Sequence, residues 1–255
     1  MVAALPIRKA SLIVEEVKKF AAKIAFLSDV HGPEYDVLLQ SAKSLAKNDV
    51  IDSCRLQAYL YLIDRNEAEF NAAVLNLERN NYRATANYFR MKWACAYLLP
   101  QDALDYAKRL VSFRGDISLV KILKPLYLLG YFREVREMIQ ESIARQEVIP
   151  GLEMLAPAVE QAIQIEDNCK LPDGLLVKSI QCISDILSAH NLSNYGGKSI
   201  MTLIPMEEDG PTISVAYTLP ISASMASDIN WEIAEVLVDN DLQNPNVSFM
   251  ILGAG

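Results

Sequence analysis

Leu128-Leu129-Gly130-Tyr131-Phe132-Arg133-Glu134-Val135 is the stretch on which the reading of this chain turns. Its glycine separates two amphipathic runs, Ile117 to Leu129 and Phe132 to Ala144, both longer than an ordinary strand and both with apolar residues at helical spacing. A break this short between two helices forces them to lie antiparallel, so the stretch predicts a helical hairpin. The pattern recurs on either side. Helix pairs open near Ile51, Asn81, Asp116 and Pro150, at intervals of 30, 35 and 34 residues. Spacing of that kind is the signature of stacked hairpin repeats, each burying an apolar face against the next. The predicted pairs are Ile51 to Ile63 with Glu67 to Leu77, Tyr82 to Leu98 with Gln101 to Val111, Ile117 to Leu129 with Phe132 to Ala144, and Gly151 to Ile165 with Asp173 to His190.

Within this region the residues resemble the tetratricopeptide (TPR) family. Leu128 to Val135 is similar to that family's turn between helix A and helix B, where an aromatic follows a glycine. Pro100, Gln101, Asp102, Ala103, Leu104 and Asp105, followed by Tyr106, Ala107 and Lys108, resemble the start of a helix B. The likeness covers about residues 51–145 and departs from the family pattern at Leu123 and in lacking a closing proline. It implies an α-solenoid with a groove that holds a partner, and other classes of hairpin repeat remain open.

Two helices are expected ahead of the repeats, Ser11 to Leu27 and Pro33 to Asn48, the second with Tyr35, Leu38, Leu39, Ala42 and Leu45 as its buried stripe. Beyond Gly196 and Gly197 the period changes. Thr212 to Leu219 alternates strictly and places Ile213, Val215, Tyr217 and Leu219 on one face of a strand. Ser199 to Pro205 is its expected partner, a helix follows at Ser227 to Asp239, and Val247 to Leu252 closes the chain as a third strand. The predicted fold is therefore mainly α, a TPR-like solenoid in residues 1–195 followed by a small β-β-α-β module in 196–255. Three strands and one helix make a thin core, so the module is expected to rest on the solenoid or on a second copy of itself, and its apolar last strand suits a homodimer.

With 255 residues and 51% hydrophobic content the chain has ample material for a core. The four cysteines stand far apart, form no C-x-x-C pair and have no histidine at zinc-binding spacing, which predicts reduced thiols in a cytoplasmic protein. No secretory pattern opens the sequence, and the longest apolar run, Leu119 to Phe132, is broken by Lys121 and Lys124, so no membrane span is expected. The net charge of −8 is segregated: residues 1–78 carry −2, 79–145 carry +6, 146–195 carry −5 and 196–255 carry −7.

Motifs for chemistry are sparse. Asp29, Val30, His31 and Gly32 resemble the opening D-x-H-G of calcineurin-like metallophosphoesterases, which implies Asp29 and His31 as metal ligands. That family's later blocks have no counterpart, since His31 and His190 are the chain's two histidines. Gly197-Lys198-Ser199 matches the end of a phosphate loop, but Leu192 stands where the motif needs glycine. His190 lies at a predicted helix end, and Glu207, Glu208 and Asp209 in a predicted hairpin loop. The reading is non-enzymatic, with no cofactor and no metal.

The basic centre, 79–145, interleaves cations with Tyr82, Tyr88, Phe89, Trp93 and Tyr97. Arg83, Asn87 and Arg90 fall on one helix face and are the first-choice contacts for a protein partner, with Lys121, Lys124 and Arg133 as a second group. An acidic protein segment suits this charge, and the acidic C-terminal residues could serve as one internally. A nucleic-acid regulator is the alternative function, opposed at long range by the sequence pI of about 4.9. A divergent metallophosphoesterase comes third.

Overall fold

A computed structural model of the chain describes residues 12–17, 19–20, 32–113, 117–147, 149–192, 198–204, 210–219 and 221–253. The protein is mainly helical with a small three-stranded sheet near its C-terminus. Helix α1 comprises residues 12–17, 19 and 20 among those described. Then follow α2 (Pro33–Ser44), α3 (Val50–Ile63), α4 (Glu67–Arg79), α5 (Arg83–Ala96), α6 (Pro100–Phe113), α7 (Leu119–Leu128), α8 (Phe132–Ala144), α9 (Leu152–Cys169) and α10 (Leu175–Ala189). The C-terminal elements are β1 (Lys198–Ile204), β2 (Thr212–Leu219), α11 (Ala223–Asp239) and β3 (Val247–Gly253).

Local chemistry accounts for several boundaries. Asp49 accepts a hydrogen bond from Asp52 N at 2.9 Å and starts α3; Asn66 accepts from Glu69 N at 3.2 Å and starts α4. Gly130 takes φ +85, a left-handed conformation that turns the chain from α7 into α8. Two expected boundaries move. The second helix gives way at Ser44 to a 3₁₀ turn, Leu45–Lys47, where Asn48 and Asp49 favour a turn and a cap over further helix. Helix α11 begins at Ala223 because the Ser222 side chain accepts from Met225 N at 3.2 Å, a cap placed four residues ahead of the apolar stripe.

Each helix from α2 to α8 packs against the next, and α3 also approaches α5, as α7 does α9. Burial passes continuously along the stack. Phe20, Tyr35, Leu38, Leu56 and Leu60 join α1, α2 and α3; Leu62, Phe70, Val74, Leu77 and Phe89 join α3, α4 and α5. A larger cluster extends from Met91 through Ile122, Leu126, Ile163 and Ile180 into the sheet.

The expected fourth hairpin forms differently. Lys170 (φ 51) and Gly174 (φ 72) break the chain between α9 and α10, and α10 approaches α6 and α11 instead of returning along α9. Helix α10 crosses the turns of the three preceding hairpins. Arg65, in the α3–α4 turn, donates to the Ser188 hydroxyl; Ser184 Oγ donates to Tyr97 O, in the α5–α6 turn, at 2.6 Å; Leu176 lies against Gly130, in the α7–α8 turn. Ser188, Ser184 and Leu176 follow one another down one helix, so α10 is a strut that fixes the spacing of three turns.

The sheet has strand order β1-β2-β3, with β1 antiparallel and β3 parallel to β2. Ile213, Val215, Tyr217 and Leu219 of β2 are all buried, as the alternation predicts. They face the large core, which α7, α9 and α11 complete. His190, the C-cap of α10, has its Nε2 2.7 Å from Glu232 Oε2 on α11 and ties the strut to the sheet's helix.

Candidate binding site

Seven residues apart on α5, Arg83 and Arg90 lie on one side of the helix, but they meet different surroundings. Arg90 is turned to α4, where its guanidinium grips Glu78 with Nη1 to Oε1 at 2.5 Å and Nη2 to Oε2 at 3.1 Å. This bidentate bond holds the Glu78 carboxyl below the usual carboxylate range and raises Arg90. Asn87 is buried and donates to Arg83 O at 3.1 Å. Arg83 alone of the three is exposed.

The second group divides between two places. Arg133, on α8, has Nη2 2.5 Å from Asp167 and Nε 3.9 Å from Glu166, both on α9. Arg136 lies 3.9 Å from Glu160 on the same helix. Part of the charge segregation is thus resolved within the chain, with the basic face of α8 set against the acidic face of α9. Burial pushes Glu166 up to about 7, against the opposing pull of Arg133, and Asp167, Glu134 and Asp173 add to the rise.

Lys121 and Lys124 remain exposed one turn apart on α7, and both line a pocket of about 360 Å³. The α5 side contributes Tyr88 and Cys95, α7 contributes Val120, Pro125 and Leu128, and Tyr217 of β2 and Ser199 of β1 close it from the sheet. The lining is predominantly apolar, with the exposed Lys121 and Lys124 as its charged members. Tyr217 is 1% exposed, and its hydroxyl has no hydrogen-bond partner among the described residues. Burial raises its hydroxyl well above the usual tyrosine range and pushes Tyr88 and Cys95 each up to about 12. At neutral pH Tyr217 is therefore an unused donor and Cys95 a thiol, not a thiolate. These are features of a binding pocket more than of a nucleophilic centre.

Several aromatic residues of the basic centre pack on other rings, within it and on α3 and α4. Trp93 lies between Phe70 and Tyr97, with both ring centroids at 4.6 Å, and Tyr59 meets Phe89 edge-on at 4.8 Å. Lys92 Nζ sits 4.8 Å above the Tyr59 ring, so this cation also serves an internal contact. Asp29 and His31 lie outside the described residues. Among the described residues no group of three or more His, Cys, Asp or Glu side chains is placed to hold a metal ion. No described helix is long and apolar enough to cross a membrane.

Sequence reasoning marked Lys121 and Lys124 but missed Tyr88 and Tyr217 as their companions. Tyr217 reads in sequence as one more buried position of an alternating strand, and its unmet hydroxyl emerges from the packing alone.

No known protein family, curated protein or solved structure matches this chain.

Proposed function

We propose that this is a non-enzymatic binding protein that holds a protein partner on a TPR-like framework of helical hairpins, with the exposed α7 lysines as the principal contact. The observation that carries this reading is the pairing of Lys121 and Lys124, both exposed, beside an open apolar pocket. An acidic residue next to a large apolar one on a partner segment would match that arrangement, because charges at the rim and an apolar anchor at the centre are how small interfaces gain orientation and affinity. The hairpin spacing, the packing of each helix on the next and the short turns support the framework.

Arg83, exposed on α5, is a further cation open to a partner. Arg90 and Arg133 contribute less to a partner because carboxylates of this chain already engage them. The nucleic-acid reading is weakened by the same contacts and by the inward packing of Phe89, Trp93 and Tyr97, since single-strand binding needs rings that present their faces to solvent.

The test is capture from a nuclease-treated extract, followed by binding of the recovered partner, purified, to wild type and to Lys121→Glu/Lys124→Glu. The proposal expects direct binding that the double variant loses and that raised salt weakens moderately. Equal binding by the double variant would remove these lysines from the interface, and a signal abolished by nuclease would replace the protein partner with nucleic acid.

A further inference from the structure

Trp231, on α11, stands 72% exposed, whereas Trp93, the chain's other tryptophan, packs between Phe70 and Tyr97. Ala234 and Val238, three and seven residues further on, are exposed on the same helix face, so the indole belongs to an apolar stripe. Carboxylates flank it. Asp228 and Glu235, both exposed, lie about one turn to either side of Trp231. Glu235 Oε1 accepts the indole Nε1–H at 2.8 Å, which satisfies the ring's one donor and leaves its apolar faces for contact.

The pocket beside Lys121 and Lys124 presents the complement. Its apolar lining includes Leu98, Val120 and Leu128, its volume of about 360 Å³ is ample for one indole ring, and its two lysines are exposed one turn apart. Among the described residues neither lysine has an ion-pair partner, nor has Asp228 or Glu235. The two surfaces also fall in parts of the chain of opposite charge, +6 for residues 79–145 and −7 for 196–255.

We infer that the occupant of this pocket is Trp231 of a second copy of the chain, seated with Asp228 and Glu235 against Lys121 and Lys124. The inference rests on the reading of those lysines as a protein contact and names the partner. The indole supplies a central apolar anchor, and the charges around it set the orientation. An ammonium group over the indole face adds to the attraction. Asp228 and Glu235 stand about 10 Å apart along the axis of α11, a span that two lysines on flexible four-carbon stems can bridge. Elements α5, α7, β1 and β2 build the pocket, whereas α11 packs on α10 and β3, so each copy offers both an anchor and a receptor.

Sedimentation of the purified full chain over a range of concentrations tests it, with tryptophan fluorescence as a second readout. The expected result is association that raised salt weakens, accompanied by a blue shift of the emission as water leaves the Trp231 indole. Trp231→Ala and Lys121→Glu/Lys124→Glu should each associate about thirtyfold more weakly or not at all. All three side chains are exposed, so both variants retain the fold. Mixed together, the two variants should form a one-to-one pair, because the first retains a pocket and the second a tryptophan. A wild-type chain that stays monomeric would overturn the inference, as would association undiminished in either variant or two variants that fail to pair when mixed. Trp231→Ala keeps the pocket and both lysines, so a foreign partner captured through those lysines binds it as it binds wild type; that capture can succeed while self-association fails, and the reverse.

Discussion

Gly130 and Leu176 approach so closely that no side chain fits at position 130: a Cβ there would stand 2.7 Å from Leu176 Cβ. The contact seats α10 on the α7–α8 turn, and it joins two constraints at one residue. Gly130 also takes φ +85, a conformation that costs other L-residues about 1–2 kcal/mol. Gly130→Ala is therefore expected to lose about 2–4 kcal/mol of stability, the backbone and overpacking costs together. A thermal melt within a degree or two of wild type would show that α10 yields freely at this point.

Ser184 tests the same strut where backbone strain is absent. Its Oγ donates to Tyr97 O at 2.6 Å in a buried setting, bridging α10 to the α5–α6 turn. Ser184→Ala leaves that carbonyl without this donor, and the expected cost is about 1–2 kcal/mol. Hydrogen exchange should quicken at the α5–α6 turn and along α10, and much less in α2. Protection lost evenly across the chain would mean that α10 has no special hold on the turns.

Much of this architecture is legible in the residues. Each hairpin turn is announced by an interruption of apolar spacing, at Asp64 to Asn66, Leu99 to Pro100 and Gly130 to Tyr131, and β2 is written in its alternation from Thr212 to Leu219. The destination of α10 is not legible. Its leucines and isoleucines say that one face is buried, and the same stripe would serve equally against α9, but the closest contacts of Ser184 and Ser188 lie far away in sequence. The candidate site was legible in part for a similar reason. Helical spacing placed Arg83, Asn87 and Arg90 on one side of α5 but could not say that this side meets α4, where Glu78 receives Arg90. The lysines of α7 were visible as exposed charges within an apolar run, whereas the pocket needs the sheet to bring Tyr217 beside them.

The pair Arg90–Glu78 supplies a prediction about acid. Both side chains are largely covered, with 21% and 31% of their surface exposed, so the bidentate contact is poorly screened by solvent. Glu78→Gln retains the shape and removes the charge, and about 1–2 kcal/mol should be lost at pH 7. Since the folded carboxyl titrates below its ordinary 4.5, the contribution is present above that value and is lost as pH falls through the lowered one. Melting curves of variant and wild type should converge in that acid range. A gap that stays constant down to strongly acidic pH would assign the loss to packing.

Glu166 behaves in the opposite sense. Only 19% of its side chain is exposed, Arg133 approaches at 3.9 Å while already held by Asp167, and Glu134, Asp167 and Asp173 add like charge around it. With its value pushed up from 4.5 to about 7, the folded protein keeps a proton on this carboxyl that the unfolded chain releases. Between those two values the native state binds more protons, so this group's contribution to stability declines as pH rises, and above about 7 the buried carboxylate is a fixed cost. Glu166→Gln removes the ionisation and leaves Arg133 its bond to Asp167. The variant is expected to be more stable than wild type at pH 8 by on the order of 1–2 kcal/mol and to differ little near pH 4.5, where the folded wild type is protonated and the unfolded chain about half so. Thermal melts across pH 4.5 to 8 read the divergence directly. Lower stability of the variant at pH 8 would instead make the Glu166 carboxylate a net favourable partner of Arg133.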